Sequence, residues 1–220
     1  DATPRQTFEQ LWSILDEHYC FFREKGVDWE DVHARYAPMV SDQMTARELF
    51  TVMAQMLDEL RDGHTNLSAS FETSYYRRWW ADYPENFDWR LVQEHYLNFN
   101  YLSAAGLDYA VLGSNVGYLR YSSFSSPVGE GNLDAALSYL APCDGLVIDV
   151  RSNSGGSMSN VETIARRFIT SRTLAYSICH KTGPAHDAFS EPFHVYFDPA
   201  PEGRVLWGKP VVVLCNRGTF

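Results

Sequence analysis

The stretch that decides the fold class is Asp144-Gly-Leu-Val-Ile-Asp-Val-Arg-Ser-Asn-Ser-Gly-Gly-Ser-Met158. Its first part, residues 145–150, predicts a buried strand, and apolar positions at helical spacing from Val161 onward predict a helix. A loop of glycine and serine residues joins the two elements. Because open α/β sheets bind ligands at the carboxyl ends of their strands, this loop is the first candidate for a functional site.

Two adjacent glycines, Gly155 and Gly156, lie near the end of this loop. They allow backbone N–H groups to approach a substrate closely, and the start of a helix adds a partial positive charge, which suits an anion or a developing oxyanion. The alternative is a tight turn in which the glycines serve steric needs only. The pattern alone leaves both interpretations open. A nucleotide-binding loop is not indicated, because neither of its glycine patterns is present.

The first third of the chain has helical periodicity. Apolar residues recur at three- and four-residue steps over residues 8–22, after a capping-box pattern at Thr3 or at Thr7. A short second helix is predicted from Asp28 to about Pro38. The N-terminal region is therefore predicted to be helical.

The third predicted helix carries a second candidate site at its end. Thr45 begins a capping box, an apolar face extends over residues 49–60, and Gly63 is expected in the left-handed position that ends the helix. His64 follows directly. An unperturbed imidazole has a pKa of about 6.5, which suits a general base, whereas a lone histidine in a turn is more often a surface or capping residue.

From residue 106 onward, strands alternate with helices, which predicts an α/β domain with a largely parallel, buried sheet. The pattern divides the chain into an N-terminal helical subdomain (1–65), an aromatic-rich connecting segment that is partly strand (66–105), and the first part of the α/β domain (106–220). Within the connecting segment, aromatic residues cluster at 75–80, and partial alternation over 89–102 favours a strand. A hairpin is expected at 109–121.

Charge excludes one large class of proteins. The chain has 220 residues with 18 Lys+Arg and 28 Asp+Glu, so its formal net charge is −10. A nucleic-acid-binding protein needs a basic face to neutralise phosphates, and none is indicated here. No apolar run approaches the roughly 18 residues of a membrane-spanning helix. We therefore expect neither nucleic-acid binding nor a membrane span.

Neither a metal site nor a cofactor is expected. The four cysteines are far apart in the sequence, and His180, His186 and His194 lack the helical spacing of a zinc-binding pair. Cys179 and Cys215 lie in strand-like apolar runs, where we expect them to be buried as small hydrophobic residues.

No convincing nucleophile is visible within the chain. It contains no G-x-S-x-G elbow and no Ser-x-x-Lys in a helical context. The serines of the loop are best explained as turn formers and helix caps; they are Ser152, Ser154, Ser157 and Ser159.

Four sequence blocks in a fixed order resemble the C-terminal processing peptidases, the serine proteases of peptidase family S41. The blocks are Leu57-Asp-Glu-Leu-Arg-Asp-Gly-His-Thr65, Val116-Gly-Tyr-Leu-Arg-Tyr-Ser-Ser-Phe124, Asp144 to Gly156, and Lys209-Pro-Val-Val-Val-Leu-Cys-Asn-Arg-Gly-Thr-Phe220. The short interval at 66–115 resembles the branch without a PDZ domain, which includes the tricorn core protease and the retinoid-binding protein repeats, because a PDZ domain needs roughly 80 residues. The resemblance implies a helical subdomain followed by a ClpP/crotonase-like β-β-α spiral layer whose catalytic domain is incomplete at residue 220.

The same resemblance implies a serine endopeptidase that acts on proteins or peptides. His64 matches the general base, Gly155 or Gly156 matches the oxyanion-hole donor, and the nucleophilic serine is expected directly after Phe220. The resemblance also implies export to the bacterial periplasm or cell envelope. Two alternatives stay open: an inactive hydrophobic-ligand-binding relative, motivated by the aromatic residues of 71–101, and a crotonase-like acyl-thioester enzyme.

Overall fold

The computed structural model describes residues 2–78 and 83–220. These residues form two compact units. The first unit contains the described residues up to 78 together with Ser177–Phe193, and the second contains Tyr83–Tyr176 and His194–Phe220. The predicted three-part division at residues 65 and 105 remains a prediction. Trp79 and Trp80, at the end of the predicted aromatic cluster, lie outside the described residues.

The elements are numbered in chain order. The helices are α1 Pro4–His18, α2 Phe22–Lys25, α3 Trp29–Tyr36, α4 Ala46–Asp58, α5 Trp89–His95, α6 Glu130–Leu140 and α7 Met158–Ala165. The strands are β1 Ser68–Ala69, β2 Glu72–Thr73, β3 Leu102–Ala104, β4 Leu107–Leu112, β5 Val116–Tyr121, β6 Gly145–Asp149, β7 Thr173–Ile178, β8 Phe193–Phe197 and β9 Val211–Leu214. No helix in the described ranges is both long and apolar enough to cross a membrane.

Three helices of the first unit, α1, α3 and α4, begin where the sequence predicts. Thr3 caps α1 and Thr45 caps α4, each in a complete capping box, so the alternative start at Thr7 is wrong. Asp28 caps α3 by accepting the backbone N–H of Asp31. Apolar faces of α1, α3 and α4 form the core of this unit.

The helix ends of the first unit differ from the prediction. The first helix stops at His18, and Phe22 belongs to the separate helix α2. After α4, the left-handed residue is Arg61, with φ 50°, and not Gly63. Helix α4 already ends at Asp58, so Arg61 lies closer to its end than Gly63 does. Arg61 also makes a non-local contact: the Lys25 ammonium donates to the Arg61 carbonyl at 2.8 Å, and the Arg61 guanidinium donates to the Lys25 carbonyl.

The second unit contains a five-stranded sheet in the order β3-β4-β5-β6-β9. The β3–β4 and β4–β5 pairs are antiparallel, whereas β5–β6 and β6–β9 are parallel. The mixed α/β class is confirmed, but the expectation of a largely parallel sheet is wrong. Antiparallel pairing follows from the tight connections on both sides of β4, because a parallel pair needs a long crossover, which α6 supplies between β5 and β6. β7 and β8 form a separate two-stranded sheet.

Both faces of the central strands are covered in the second unit. Helix α6 packs its apolar face on Leu119 and Leu146, and the opposite face, with Tyr118, packs against α5 and the segment around it. The strand predicted over 89–102 is wrong, because Asp88 caps α5 by accepting two backbone N–H groups.

The exposure of two cysteines corrects a further prediction. Cys179 and Cys215 are both exposed, contrary to the expectation of burial. Cys215 directly follows β9, a strand paired only with β6 among the described residues, and Cys179 directly follows β7 of the two-stranded sheet. An apolar run therefore marked these strands correctly but did not predict which of their side chains are covered.

Candidate functional site

The loop after β6 is anchored by Asp149, which is fully buried. Its Oδ1 accepts the backbone N–H of Arg151 at 3.0 Å and the Arg151 Nε at 2.9 Å. Its Oδ2 accepts the Arg151 Nη2 at 2.6 Å and the Tyr118 hydroxyl at 2.6 Å. We call this group, formed by Tyr118, Asp149 and Arg151, the arginine turn.

Charge in the arginine turn is fixed by its hydrogen bonds. Burial raises the pKa of Asp149, but hydrogen bonds from Arg151 and Tyr118 outweigh that effect and hold this pKa below its ordinary value. Burial and the bond to Asp149 raise the pKa of Tyr118. The Arg151 guanidinium lies 4.5 Å from the centre of the Phe87 ring. The turn therefore holds an ionised carboxylate and a protonated phenol at neutral pH.

Asn153 organises the glycine loop from the inside. It is fully buried, and its side-chain amide donates to the Tyr121 carbonyl at 2.8 Å. Its Oδ1 accepts the backbone N–H of Gly155 at 2.9 Å. The sequence pattern did not single out Asn153, although it lies two residues before the first glycine.

The two glycines have different surroundings. Gly156 has φ 142°, and a Cβ there would lie 2.2 Å from the Ser125 nitrogen and 2.3 Å from the Phe124 carbonyl carbon. Gly155 has φ 80°, and a Cβ there would lie 3.2 Å from the Phe220 ring. The Gly155 N–H is bonded to Asn153, whereas the described residues provide no hydrogen-bond acceptor for the Gly156 N–H. Close backbone approach therefore makes glycine a requirement at position 156.

The turn after β9 lies on the glycine loop. The Thr219 hydroxyl donates to the Val150 carbonyl at 2.8 Å, and the Phe220 N–H donates to the Asn153 carbonyl at 2.9 Å. The side chain of Asn216 adds a third link through its Oδ1, which accepts the Ser152 N–H at 2.8 Å. The carboxyl ends of the adjacent strands β6 and β9 thus form one continuous site.

His64 belongs to the first unit, where a carboxylate holds it. Asp62 Oδ1 accepts the His64 N–H at 2.9 Å and lies 4.0 Å from the ring Nδ1. Asp62 Oδ2 accepts the Tyr19 hydroxyl at 2.8 Å. The side chain of His64 is 70% exposed, whereas that of Asp62 is 13% exposed. We call Tyr19, Asp62 and His64 the histidine turn.

Electrostatics keep Asp62 ionised. Burial raises its pKa, but hydrogen bonds from the His64 N–H and the Tyr19 hydroxyl, together with the charge of Lys25, lower it below the ordinary value. Burial and Asp62 raise the pKa of Tyr19, which therefore remains a donor. Tyr19 is 43 positions away from Asp62 in the sequence. The sequence pattern predicted His64 as a candidate residue but did not single out Asp62 or Tyr19.

The remaining histidine candidates belong to other surroundings. His186 lies in the first unit, with its Nε2 at 2.8 Å from Asp16 Oδ1 and its ring 4.5 Å from that of Phe22.

The serines predicted as caps include Ser157, which caps α7 by accepting the Ser159 N–H.

An apolar cavity of about 740 Å³ lies in the second unit. Side chains of β5, β6, α7 and β9 line it, together with Trp207. None of the described aromatic residues of 71–101, the range that motivated the ligand-binding alternative, lines this cavity.

Two family models match parts of the chain. A model of the tricorn protease C1 domain matches residues 1–58, and a model of peptidase family S41 matches residues 115–220. A carboxyl-terminal-processing protease of Synechocystis sp. is 31% identical over 118 residues, which are 53% of this chain and 25% of that protease. Carboxy-terminal processing protease CtpB of Bacillus subtilis is 37% identical over 86 residues, which are 38% of this chain and 18% of CtpB. The matched segments thus span a quarter or less of these two relatives.

A solved structure matches almost the whole chain. It is a crystal structure described as that of a candidate peptidase from Parabacteroides merdae, with a TM-score of 0.92 and 46% sequence identity. The match covers 99% of this chain and 69% of that chain. The two units and the loops described above therefore have a counterpart of known structure.

Proposed function

Because the chain belongs to peptidase family S41, we propose that the protein hydrolyses peptide bonds as a serine endopeptidase. The proposed nucleophile is a serine at the position directly after Phe220. His64 acts as the general base, and the glycine loop supplies the oxyanion hole. The substrates are proteins or peptides.

One observation carries this proposal: the turn after β9 is hydrogen-bonded to the glycine loop. The bonds from Thr219 to Val150 and from Phe220 to Asn153 hold these two residues against the loop that carries the glycines, and we infer from this that the position after Phe220 is near the loop. A serine there would lie beside the backbone N–H groups of the loop. This is the arrangement that acyl transfer requires, because the attacked carbonyl must reach both the nucleophile and the oxyanion donors.

Between the two glycines, we propose Gly156 as the oxyanion donor. The N–H of Gly155 is bonded to the Asn153 side chain at 2.9 Å, so it is committed to holding the loop. The N–H of Gly156 has no such commitment among the described residues, which supports the assignment. Losing one donor of this kind typically lowers kcat by about 10²- to 10³-fold.

In the proposed reaction, the serine hydroxyl oxygen attacks the peptide carbonyl carbon while its proton moves to His64. The carbonyl oxygen becomes an oxyanion, which the Gly156 N–H stabilises. His64 then gives the proton to the leaving amine as the C–N bond breaks. Water repeats the sequence on the acyl-enzyme and releases the second product and the serine.

The other interpretations receive less support. The matched relatives are named as proteases, which does not favour the ligand-binding or the acyl-thioester alternative.

On the family resemblance, we also propose export to the bacterial periplasm or cell envelope. Fractionation of cells expressing the full-length protein tests this proposal, and recovery in the cytosol alone would contradict it.

A two-variant experiment tests the proposed function. In the full-length protein, His64→Ala should lower cleavage of fluorescein-labelled casein by about 10²- to 10⁴-fold, the contribution of a positioned general base. The control is His95→Ala, which removes an exposed histidine at the end of α5 and should leave the rate unchanged. A fluorophosphonate probe should label the serine after Phe220 in the wild type. Absence of labelling, or full activity of His64→Ala, would refute the mechanism.

A further inference from the structure

We propose that Asn216 is a positioning residue: its side chain holds Ser152 in a left-handed backbone conformation and thereby sets the distance between the glycine loop and the turn after β9. This inference rests on the proposed function, in which the serine after Phe220 attacks a carbonyl whose oxygen is bound by the Gly156 N–H. Nucleophile and donor belong to different segments of the chain. The contact between these segments therefore decides whether both groups reach one substrate carbonyl.

The first support is the place where strand pairing ends. Strands β6 and β9 are paired in register up to Asp149 and Leu214, and the Val150 N–H donates to the Leu214 carbonyl at 2.9 Å. Beyond this point the two segments leave the sheet in separate turns. Pairing within the sheet does not fix the turn after β9 against the glycine loop, so contacts beyond the sheet must do so.

The second support is the conformation of Ser152. The Asn153 N–H donates to the Val150 carbonyl at 3.1 Å, which closes a turn in which Ser152 has φ 56°. A left-handed position in a turn is usually filled by glycine or asparagine, because a Cβ makes this conformation costly for other residues. A serine keeps it only where surrounding contacts hold it there.

Asn216 supplies such contacts through both ends of its amide. Its Oδ1 accepts the Ser152 N–H at 2.8 Å, and its Nδ2 donates to the Ser152 Oγ at 3.1 Å. Asn216 also begins the turn after β9, which the Thr219 N–H closes by donating to the Asn216 carbonyl at 3.0 Å. One side chain thus joins the two turns, and a shift of one turn against the other would break both of its hydrogen bonds to Ser152.

The third support is the close packing between the two turns. A Cβ at Gly218 would lie 3.3 Å from the Ser152 Oγ and 3.4 Å from the Asn216 Oδ1. The Asn216 Nδ2 also donates to Asn86 Oδ1 at 3.3 Å, which holds the amide from a further direction. The amide is therefore fixed between two segments whose misplacement by about 1 Å can cost about 10²-fold in rate.

Positioning and a purely structural link have different kinetic consequences. A structural link changes the amount of folded protein but not the turnover of each folded molecule. Loss of positioning lowers kcat and the affinity for a transition-state analogue by the same factor and leaves KM unchanged, because only the transition state needs both groups at one carbonyl. Kinetic constants referred to the number of active sites therefore separate the two.

The experiment uses the full-length protein and a quenched fluorescent peptide that the wild type cleaves. Active sites are counted by fluorophosphonate titration run to completion. Asn216→Ala should lower kcat by about 10- to 100-fold, with KM unchanged. It should weaken binding of a peptide boronic acid, which forms a tetrahedral adduct with the serine, by the same factor. The control is Asn100→Ala, which removes an exposed asparagine of the same unit between α5 and β3 and should match the wild type.

Two variants at Ser152 test the route through which Asn216 acts. Ser152→Gly in the Asn216→Ala background should raise kcat by about 3- to 10-fold, because glycine adopts the left-handed conformation without the cost that a Cβ imposes. Ser152→Ala removes only the Oγ contact and should lower kcat by about 2- to 5-fold with KM unchanged, the loss of roughly one hydrogen bond. This milder variant provides the test if Asn216→Ala yields no titratable sites.

The outcomes distinguish the inference from the proposed function. A wild type that cleaves the peptide, with variants that match its kcat or change KM alone, would overturn the positioning function and leave the proposed function standing. A lowered kcat that Ser152→Gly does not raise would also overturn it, because Asn216 would then act by another route. A wild type that neither cleaves nor labels would overturn the proposed function and the inference with it. Loss of kcat at constant KM, matched in boronate affinity and partly recovered by Ser152→Gly, would support both.

Discussion

Two turns of the same design, one in each unit, differ in the exposure of their third residue. The histidine turn consists of Tyr19, Asp62 and His64, and the arginine turn of Tyr118, Asp149 and Arg151. In each, Oδ1 of the aspartate accepts the N–H of the residue two positions later, at 2.9 Å and 3.0 Å respectively. In each, Oδ2 accepts a tyrosine hydroxyl, at 2.8 Å and 2.6 Å.

The difference lies in the third residue. Arg151 donates twice to its own aspartate through the guanidinium, and that aspartate has no exposed surface. His64 keeps 70% of its side chain exposed. The comparison teaches that one backbone design can hold two kinds of side chain: the arginine turn fixes a loop beside the glycines, and the histidine turn leaves most of the His64 side chain exposed.

The largest expected effect comes from breaking the arginine turn. Asp149→Ala leaves the mostly buried Arg151 guanidinium without its carboxylate, and breaking a buried pair costs about 3–5 kcal/mol of unfolding free energy. Asp62→Ala is the matched change in the histidine turn and should cost about 2 kcal/mol, because it removes the two hydrogen bonds that Asp62 accepts from Tyr19 and His64, each worth about 1 kcal/mol. Urea unfolding measures both, and hydrogen exchange assigns each loss to its unit. Equal costs would mean that the ion pair between Asp149 and Arg151 adds no stability beyond the hydrogen bonds that both turns share.

The sequence predicted features that depend on neighbouring residues only. They are strand β6, the loop after it, and the capping boxes at Thr3 and Thr45. The candidate residues His64, Gly155 and Gly156 remain predictions for their catalytic functions.

Non-local contacts explain what the sequence did not predict. Tyr19 reaches Asp62 across 43 positions, and Lys25 contacts Arg61 across 36, so neither partner has a local signal. The left-handed residue after α4 is Arg61 and not Gly63, because the helix ends earlier than its apolar pattern predicted. At 89–102, partial alternation favoured a strand, but the cap at Asp88 begins a helix instead.

A smaller effect is expected from removing the tyrosine hydroxyls. Tyr118→Phe deletes a donor to a fully buried carboxylate and should cost about 1.5–3 kcal/mol, the usual range for hydrogen bonds to charged groups. Tyr19→Phe should cost about 1 kcal/mol, because Asp62 keeps some contact with water. The measurement is again urea unfolding, with exchange of peptides covering β5, β6 and the end of α4. A larger loss for Tyr19→Phe would reverse the comparison.

The smallest effect is the dependence of stability on acid. Hydrogen bonds lower the pKa of both Asp62 and Asp149 below the ordinary value of 3.8, although burial acts in the opposite direction. A carboxyl group with a lowered folded-state pKa contributes stability that is complete above its unfolded value and is lost as the pH falls through the folded one. Each unit of lowering is worth about 1.4 kcal/mol.

Unfolding free energies measured from pH 5 to pH 2 therefore separate the two turns. Asp149→Asn should reduce the slope of unfolding free energy against pH in the second unit, as followed by hydrogen exchange in β6. The slope measured at the end of α4 should stay unchanged. Asp62→Asn should do the reverse. If either substitution left the slope of its own unit at the wild-type value, its carboxylate would not be held ionised by the turn. The two turns would then differ only in the exposure of their third residues, His64 and Arg151.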